Sequence, residues 1–314
     1  MLYSQKLRIW DFWTATDHEI HHIFYLKAPR IGNPQDRHDQ AVIGHAISRD
    51  WSQWAAQPDA LTPAASPAWD DLSLWTGSII PSHGGDWLMF YTGRDKLTRT
   101  QNIGMARSND LVHWKRIGTK PIFLPDARWY RMPNEESPER YTWRDPYAVY
   151  DVTTDNYYLF FSAHAQNQKL GCEGAIGAAV SKDLNHWTVL PPVLNPGWIR
   201  DMEVPSVIQK DGVWFLFCSV KAEWYGADAP IEARTTTLCF QSSTILGPYT
   251  LHPMDNRSSD LWYASRPVFD NSRGWMLMGW RMGAEEGHPE IFRNYAVDDP
   301  KPLSCVPESK VDVI

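Results

Sequence analysis

Residues 45–54 read HAISRDWSQW, and the pattern returns as MARSNDLVHW at 105–114 and AAVSKDLNHW at 178–187. Each copy has a small residue, a serine, an aspartate, and a tryptophan four residues after that aspartate. The aspartates are Asp50, Asp110 and Asp183, spaced 60 and then 73 residues apart. A degenerate fourth copy, CFQSSTILGPY, occupies 239–249. Sequence repeated at such a period marks a supersecondary unit of about one small sheet. The aspartate reads as a turn cap and the tryptophan as a wedge between neighbouring units, so the motif is structural.

A second element accompanies the first. Apolar, aromatic runs stand at 23–27 (IFYLK), 88–93 (LMFYTG), 158–164 (YLFFSAH), 214–220 (WFLFCSV) and 275–281 (WMLMGWR). Tight turn signals precede three of them: Gly84-Gly85-Asp86, Asp211-Gly212 and Ser272-Arg273-Gly274. Such runs after hairpin turns read as buried strands. No stretch sustains helical periodicity, and the proline-rich parts at 58–68 and 121–138 read as loops. Five antiparallel repeats arranged radially form an all-β, five-bladed β-propeller with four antiparallel strands per blade. A β-sandwich is the alternative, but it has no reason to repeat a motif at a near-constant period. The expectation is one propeller domain over 1–314, without a C-terminal β-sandwich.

Composition narrows the function classes. The 314 residues carry a net charge of −7 without a basic stripe, which argues against a nucleic-acid partner. No apolar stretch approaches membrane-spanning length. The N-terminus lacks an apolar signal core, and the four cysteines (Cys172, Cys218, Cys239, Cys305) lack metal or redox spacing, which reads as a reduced cytoplasmic protein. The 17 tryptophans fit two uses, core wedge and platform for a sugar face. The segment Asp17-His18-Glu19-Ile20-His21-His22 lacks zincin spacing and reads as the first hairpin turn, so no metal or cofactor is called for.

In a propeller the innermost strand of each blade lines the central channel. It should precede the aromatic run by one hairpin. Stepping back 13 to 16 residues from Tyr25, Tyr91, Phe161, Phe217 and Met278 reaches Asp11, Ser78, Asp145, Glu203 and Ser265. Three of the five are carboxylates, although a crowded axis disfavours unpaired charge. Their convergence points to a pocket at the central axis where pKa values are set apart for catalysis.

These segments resemble two related groups, the five-bladed propeller glycosidases and transferases of families 32 and 68. Trp143-Arg144-Asp145-Pro146 resembles the Arg-Asp-Pro motif of both. Asp201-Met202-Glu203-Val204-Pro205-Ser206 resembles the Met-Glu-Cys-Pro motif of family 32, with Val204 where cysteine is usual. Trp10-Asp11-Phe12-Trp13 and Trp75-Thr76-Gly77-Ser78 are similar to levansucrase segments of family 68, and the long Asn-Asp-Pro-Asn-Gly motif of family 32 is missing. The resemblance implies that Asp11 is the nucleophile, Asp145 a transition-state stabiliser that binds sugar hydroxyls, and Glu203 the general acid/base. A retaining glycosidase needs such a pair roughly 5 Å apart. Substrate contacts are expected from Trp10, Trp13, Trp75, Ser78, Arg144, Asp201, Trp224 and Tyr263. His164, Glu173, Trp198 and Arg266 are further rim candidates. The expected partner is a small carbohydrate, split as a terminal β-fructofuranosyl bond of sucrose or a short fructan. Fructosyl transfer on the same site, an inverting family 43-type arabinofuranosidase or xylosidase, and an inactive carbohydrate-binding propeller are the alternatives.

Overall fold

The repeated Ser-x-Asp segment folds as a capped turn. Oδ1 of Asp50 accepts the backbone N–H groups of Ser52 and Gln53, both at 2.8 Å. Asp110 receives Val112 and His113 in the same way, and Asp183 receives Asn185 and His186. The preceding serine hydroxyl donates to the same carboxylate in all three copies. The residue after each aspartate (Trp51, Leu111, Leu184) takes a left-handed φ of 60–64° and is buried. The carboxylate therefore replaces the hydrogen bonds that the reversing chain gives up.

In a computed structural model that describes residues 1–133, 141–252, 262–282 and 295–303, these turns join the third and fourth strands of small antiparallel sheets. The first sheet is β1 (Leu7–Asp17), β2 (Ile20–Pro29), β3 (Val42–Ser48) and β4 (Ala55–Leu61). The second is β5 (Ser73–Pro81), β6 (Trp87–Arg94), β7 (Gln101–Ser108) and β8 (Lys115–Ile117). The third is β9 (Trp143–Asp151), β10 (Asn156–His164), β11 (Gly174–Ser181) and β12 (Thr188–Leu194). The fourth is β13 (Glu203–Lys210), β14 (Val213–Val220), β15 (Thr236–Ser242) and β16 (Thr250–Leu251). Among the described residues the fifth has β17 (Trp262–Asp270), β18 (Gly274–Arg281) and β19 (Lys301–Pro302). Each aromatic run is the second strand of its blade.

The innermost strands β1, β5, β9, β13 and β17 pack against one another in sequence, and β17 packs back on β1. This ring makes the five sheets a propeller. Aromatic wedges fill the gaps between blades. Trp114 of the second blade meets Phe24 of the first edge-on at 5.7 Å, and Trp187 of the third meets Phe90 of the second at 5.6 Å. The degenerate fourth copy keeps the architecture with a tyrosine, whose hydroxyl donates to Ile245 O where the tryptophans donate to Leu111 O and Leu184 O. The ring is closed from both ends of the chain. Leu2 exchanges backbone bonds with Val297, which also bridges to Trp280 of β18. Trp51 donates to Asp270 across the same seam at 2.8 Å.

Candidate active site

Every innermost strand carries a β-bulge at the same height. The register slips between Trp10 and Phe12, between Trp75 and Gly77, opposite Phe161, opposite Cys218 and opposite Gly279. Four bulge residues have positive φ: Asp11 (31°), Asp145 (58°), Val204 (53°) and Ala264 (48°). A bulge re-aims a side chain that the pleat would otherwise alternate away. In the remaining strand the residue after the bulge is Gly77, where a Cβ would stand 2.1 Å from Phe90 O, so only glycine passes there. The bulges reset the expected equivalence of inner-strand positions. The true set is Asp11, Thr76, Asp145, Val204 and Ala264, so Glu203 precedes its bulge by one residue and Ser78 follows Thr76 by two.

The bulged ends open into a pocket of about 350 Å³ whose lining takes in all five inner strands. Its acidic centre is Asp11, Asp145 and Glu203, with Trp10, Trp75, Thr76, Arg144 and Tyr263 around them. The rim comes from the connections between second and third strands: Arg37 and His38, Arg99, and Lys221.

Each carboxylate has its own environment. Asp11 accepts the Thr76 hydroxyl at 2.9 Å. Burial, then the charges of Asp145 and Glu203, push its carboxyl up to about 7 against the Thr76 bond and the charge of Arg266. Asp145 is buried and accepts Val204 N–H at 3.0 Å and the Ser162 hydroxyl at 3.2 Å, and its own N–H donates to Thr92 Oγ1. Burial and Glu203 raise it while Arg144 opposes them. Glu203 is held at both oxygens, with Arg144 donating to Oε1 at 3.0 Å and the Tyr263 hydroxyl to Oε2. Burial and the neighbouring Glu203 hold the Tyr263 phenol well above its usual range, so it stays a donor. Arg144 is anchored by Gln101 Oε1 at 3.0 Å and Thr142 Oγ1 at 3.1 Å. Burial works against its charge, but Glu203, Asp145 and Asp201 keep it protonated.

Trp10 and Trp75 form an aromatic wall. The Trp75 indole donates to His38 O at 2.7 Å, and the Arg94 guanidinium lies 4.4 Å over its ring. Burial and the surrounding cations, Arg37 foremost, lower His38 to about 3, so its imidazole is neutral.

Four residues expected to touch substrate stand elsewhere. Ser78 is buried, and its Oγ accepts Ala148 N–H of the next blade at 2.9 Å. Trp13 stacks on Phe24 within the first blade, because alternation past the bulge turns it outward from the channel. Asp201 sits behind Arg144, bonded to His164 at 2.9 Å and Arg200 at 3.0 Å. Trp224 lines a separate cavity together with Trp198 and Arg200. Of the rim candidates, Glu173 pairs with Arg131 at 3.1 Å, and Arg266 is buried and donates to Gly77 O at 3.1 Å. The histidines of the first hairpin part company, His21 stacking on Trp51 at 4.1 Å and His22 bonding His45 at 3.0 Å. Among the described residues, no three His, Cys, Asp or Glu side chains group as metal ligands. Cys172, Cys218 and Cys239 are buried thiols, and Cys305 lies outside the described residues.

Thr76, Arg37, His38, Arg99 and Lys221 are among the lining residues that sequence reasoning passes over. Thr76 had a signal, since it follows Trp75 as Asp11 follows Trp10. The others sit on loops without a repeated pattern.

The family model for the glycosyl hydrolases family 32 N-terminal domain matches residues 14–291. The chain belongs to this family. The match takes in Asp145 and Glu203 and begins three residues after Asp11. Among curated relatives, a bifunctional fructosyltransferase of Allium cepa is 30% identical over 159 residues, 48% of this chain and 24% of its own length. An extracellular sucrase of Zymomonas mobilis is 24% identical over 288 residues, 77% of this chain and 68% of its own. The chain thus spans about a quarter of the first relative's length. In fold, it is similar to the inulosucrase of Halalkalicoccus jeotgali bound to kestose (TM-score 0.73, 21% identity, 92% of this chain, 80% of that one). It is also similar to Bacillus subtilis levansucrase (TM-score 0.72, 18% identity, 93% and 82%). No helix among the described residues is long and apolar enough to cross a membrane.

Proposed function

We propose that this chain hydrolyses a terminal β-fructofuranosyl bond, in sucrose or a short fructan, by a retaining double displacement. The observation that carries the reading is the convergence of Asp11, Asp145 and Glu203 from three blades at one pocket in a family 32 chain. In the first step an Asp11 oxygen attacks the anomeric carbon, and Glu203 gives its proton to the departing glycosidic oxygen. In the second, Glu203 takes a proton from water, whose oxygen displaces Asp11 and regenerates both groups. Asp145 faces the oxocarbenium-like transition state as a fixed anion, held by backbone and hydroxyl donors that need no reorganisation. Arg144 and Tyr263 set the orientation of the Glu203 carboxyl. Trp10 and Trp75 offer apolar faces to the ring.

The test is fructose release from sucrose and from 1-kestose by the wild type, Asp11→Asn and Glu203→Gln. The reading requires release by the wild type and its loss in both variants. Cleavage of an aryl arabinofuranoside with no fructose release would replace it by the inverting family 43-type reaction. Binding of fructosides without turnover would leave a carbohydrate-binding propeller.

A further inference from the structure

We infer that Asp201 and His164 are positioning residues of this site: with the Thr142 hydroxyl, they hold the Arg144 guanidinium on Glu203. The inference rests on the fructosidase reading for its kinetic test and on direct contacts for itself. None of the three residues lines the pocket. Thr142 immediately precedes β9, His164 ends β10, and Asp201 stands two residues before β13, so the group ties the third blade to the fourth. Arg144 stands among three carboxylates. Its Nη2 meets Glu203 Oε1 at 3.0 Å and Asp201 Oδ1 at 3.8 Å, and its Nε meets Asp145 Oδ2 at 3.6 Å. These contacts compete. A guanidinium turned fully onto Asp145 would abandon Glu203 and neutralise the anion that faces the sugar.

The far end of the guanidinium settles the competition. Nη1 donates to Thr142 Oγ1 at 3.1 Å, and a hydroxyl that accepts there has one proton left to direct. It lies 3.3 Å from Asp201 Oδ1 and donates to it. His164 Nε2 is 2.9 Å from the same oxygen. An ionised carboxylate only accepts, so Nε2 is the ring nitrogen that carries the proton. The other oxygen of Asp201, Oδ2, takes Arg200 Nε at 3.0 Å. Burial would raise the Asp201 carboxyl, but the bond from His164 and the charge of Arg144 hold it well below the usual range, so it stays an anion. Asp201 is thus fixed from three directions, and it fixes Arg144 both directly and through Thr142. Apolar side chains would fill the same space at less cost. What the polar network adds is one direction for the guanidinium, toward Glu203.

The experiment measures kcat/KM on sucrose and on 4-nitrophenyl β-D-fructofuranoside for the wild type, Asp201→Asn, His164→Leu and His164→Gln. The nitrophenolate departs without a proton, so its cleavage depends least on an oriented Glu203. Asp201→Asn should lower kcat/KM on sucrose by about thirtyfold to a hundredfold, and on the aryl fructoside by less than about threefold. His164→Leu should show the same pattern at about tenfold on sucrose. His164→Gln, whose amide can donate from the place of Nε2, should stay within about threefold of the wild type on both substrates. Where Asp201→Asn does not fold, Thr142→Val removes the same link and carries the same expectations. Equal losses on the two substrates in a folded variant overturn the inference. The second readout needs no substrate: in crystal structures, the 3.0 Å contact between Arg144 and Glu203 should open in Asp201→Asn and His164→Leu and persist in His164→Gln. A contact that persists in all three also overturns the inference. An opened contact in a protein that cleaves neither substrate sinks only the fructosidase reading.

Discussion

The two ends of the propeller are built by different rules. At one end lie the first-to-second and third-to-fourth turns, short and capped by Asp50, Asp110 and Asp183 through the same set of bonds. At the other end the inner strands begin and the second-to-third connections vary in length, from 95–100 in the second blade to 30–41 in the first and 221–235 in the fourth. The repeat lives at the turn end, where every blade solves one problem of chain reversal and wedge packing. The candidate site lies at the opposite end, where the blades present unlike side chains apart from two aspartates: Asp11, Thr76, Asp145, Glu203 and Tyr263. A symmetric scaffold thus carries an asymmetric site, because bulges re-aim residues without disturbing the turns below.

Breaking this separation should be possible from either end. The largest effect is expected for Asp11→Asn, which should lower fructose release by about 10⁴-fold while leaving the fold intact. The same change should stabilise the protein above neutral pH. The folded carboxyl, raised to about 7 against an ordinary 3.8, favours the protonated state, so its contribution is present at low pH and lost as pH rises through 7. Asparagine removes that loss, on the order of 1 kcal/mol, measurable by denaturant unfolding at pH 6 and pH 8. Equal stability of the two proteins at pH 8 would show that Asp11 is not strained there.

At the turn end, Trp187→Ala should cost about 3 kcal/mol by opening the contact with Phe90, with kcat per folded molecule unchanged. A fall in kcat matching the fall in stability would mean that the two ends are coupled. Tyr263→Phe removes one donor from Glu203 and should reduce kcat by about tenfold to a hundredfold, with little change in melting temperature. The smallest effect should come from Thr76→Val. Loss of its bond to Asp11 moves the acid limb of kcat/KM upward by at most about one unit. A downward shift would contradict the hydrogen-bond assignment.

The legibility of the sequence follows the same division. The turn motif and the aromatic second strands could be read because a local hydrogen-bond pattern and a buried strand each demand particular residue types. Asp11, Asp145 and Glu203 could be found by counting back from those strands. Ser78 was misplaced by the same count, since a bulge consumes a residue and the arithmetic of a regular pleat then slips. Trp13 and Trp224 have the right chemistry for a sugar platform, yet packing against Phe24 and beside Trp198 takes them out of the pocket. Arg37, His38, Arg99 and Lys221 reach the rim from loops that nothing local ties to the axis.

By itself, then, the sequence determined what depends on near neighbours in the chain: the capped turns, the strand identities, the number of blades and the three acids one hairpin before the aromatic runs. Tertiary structure alone decided which side chains face one another across the axis, that Thr76 supports Asp11, that Asp201 stands behind Arg144, and that Arg266 spans two blades. Those contacts join residues up to 189 positions apart. Their geometry is set by ring closure and by the slip of each bulge, which no local pattern of residue types records.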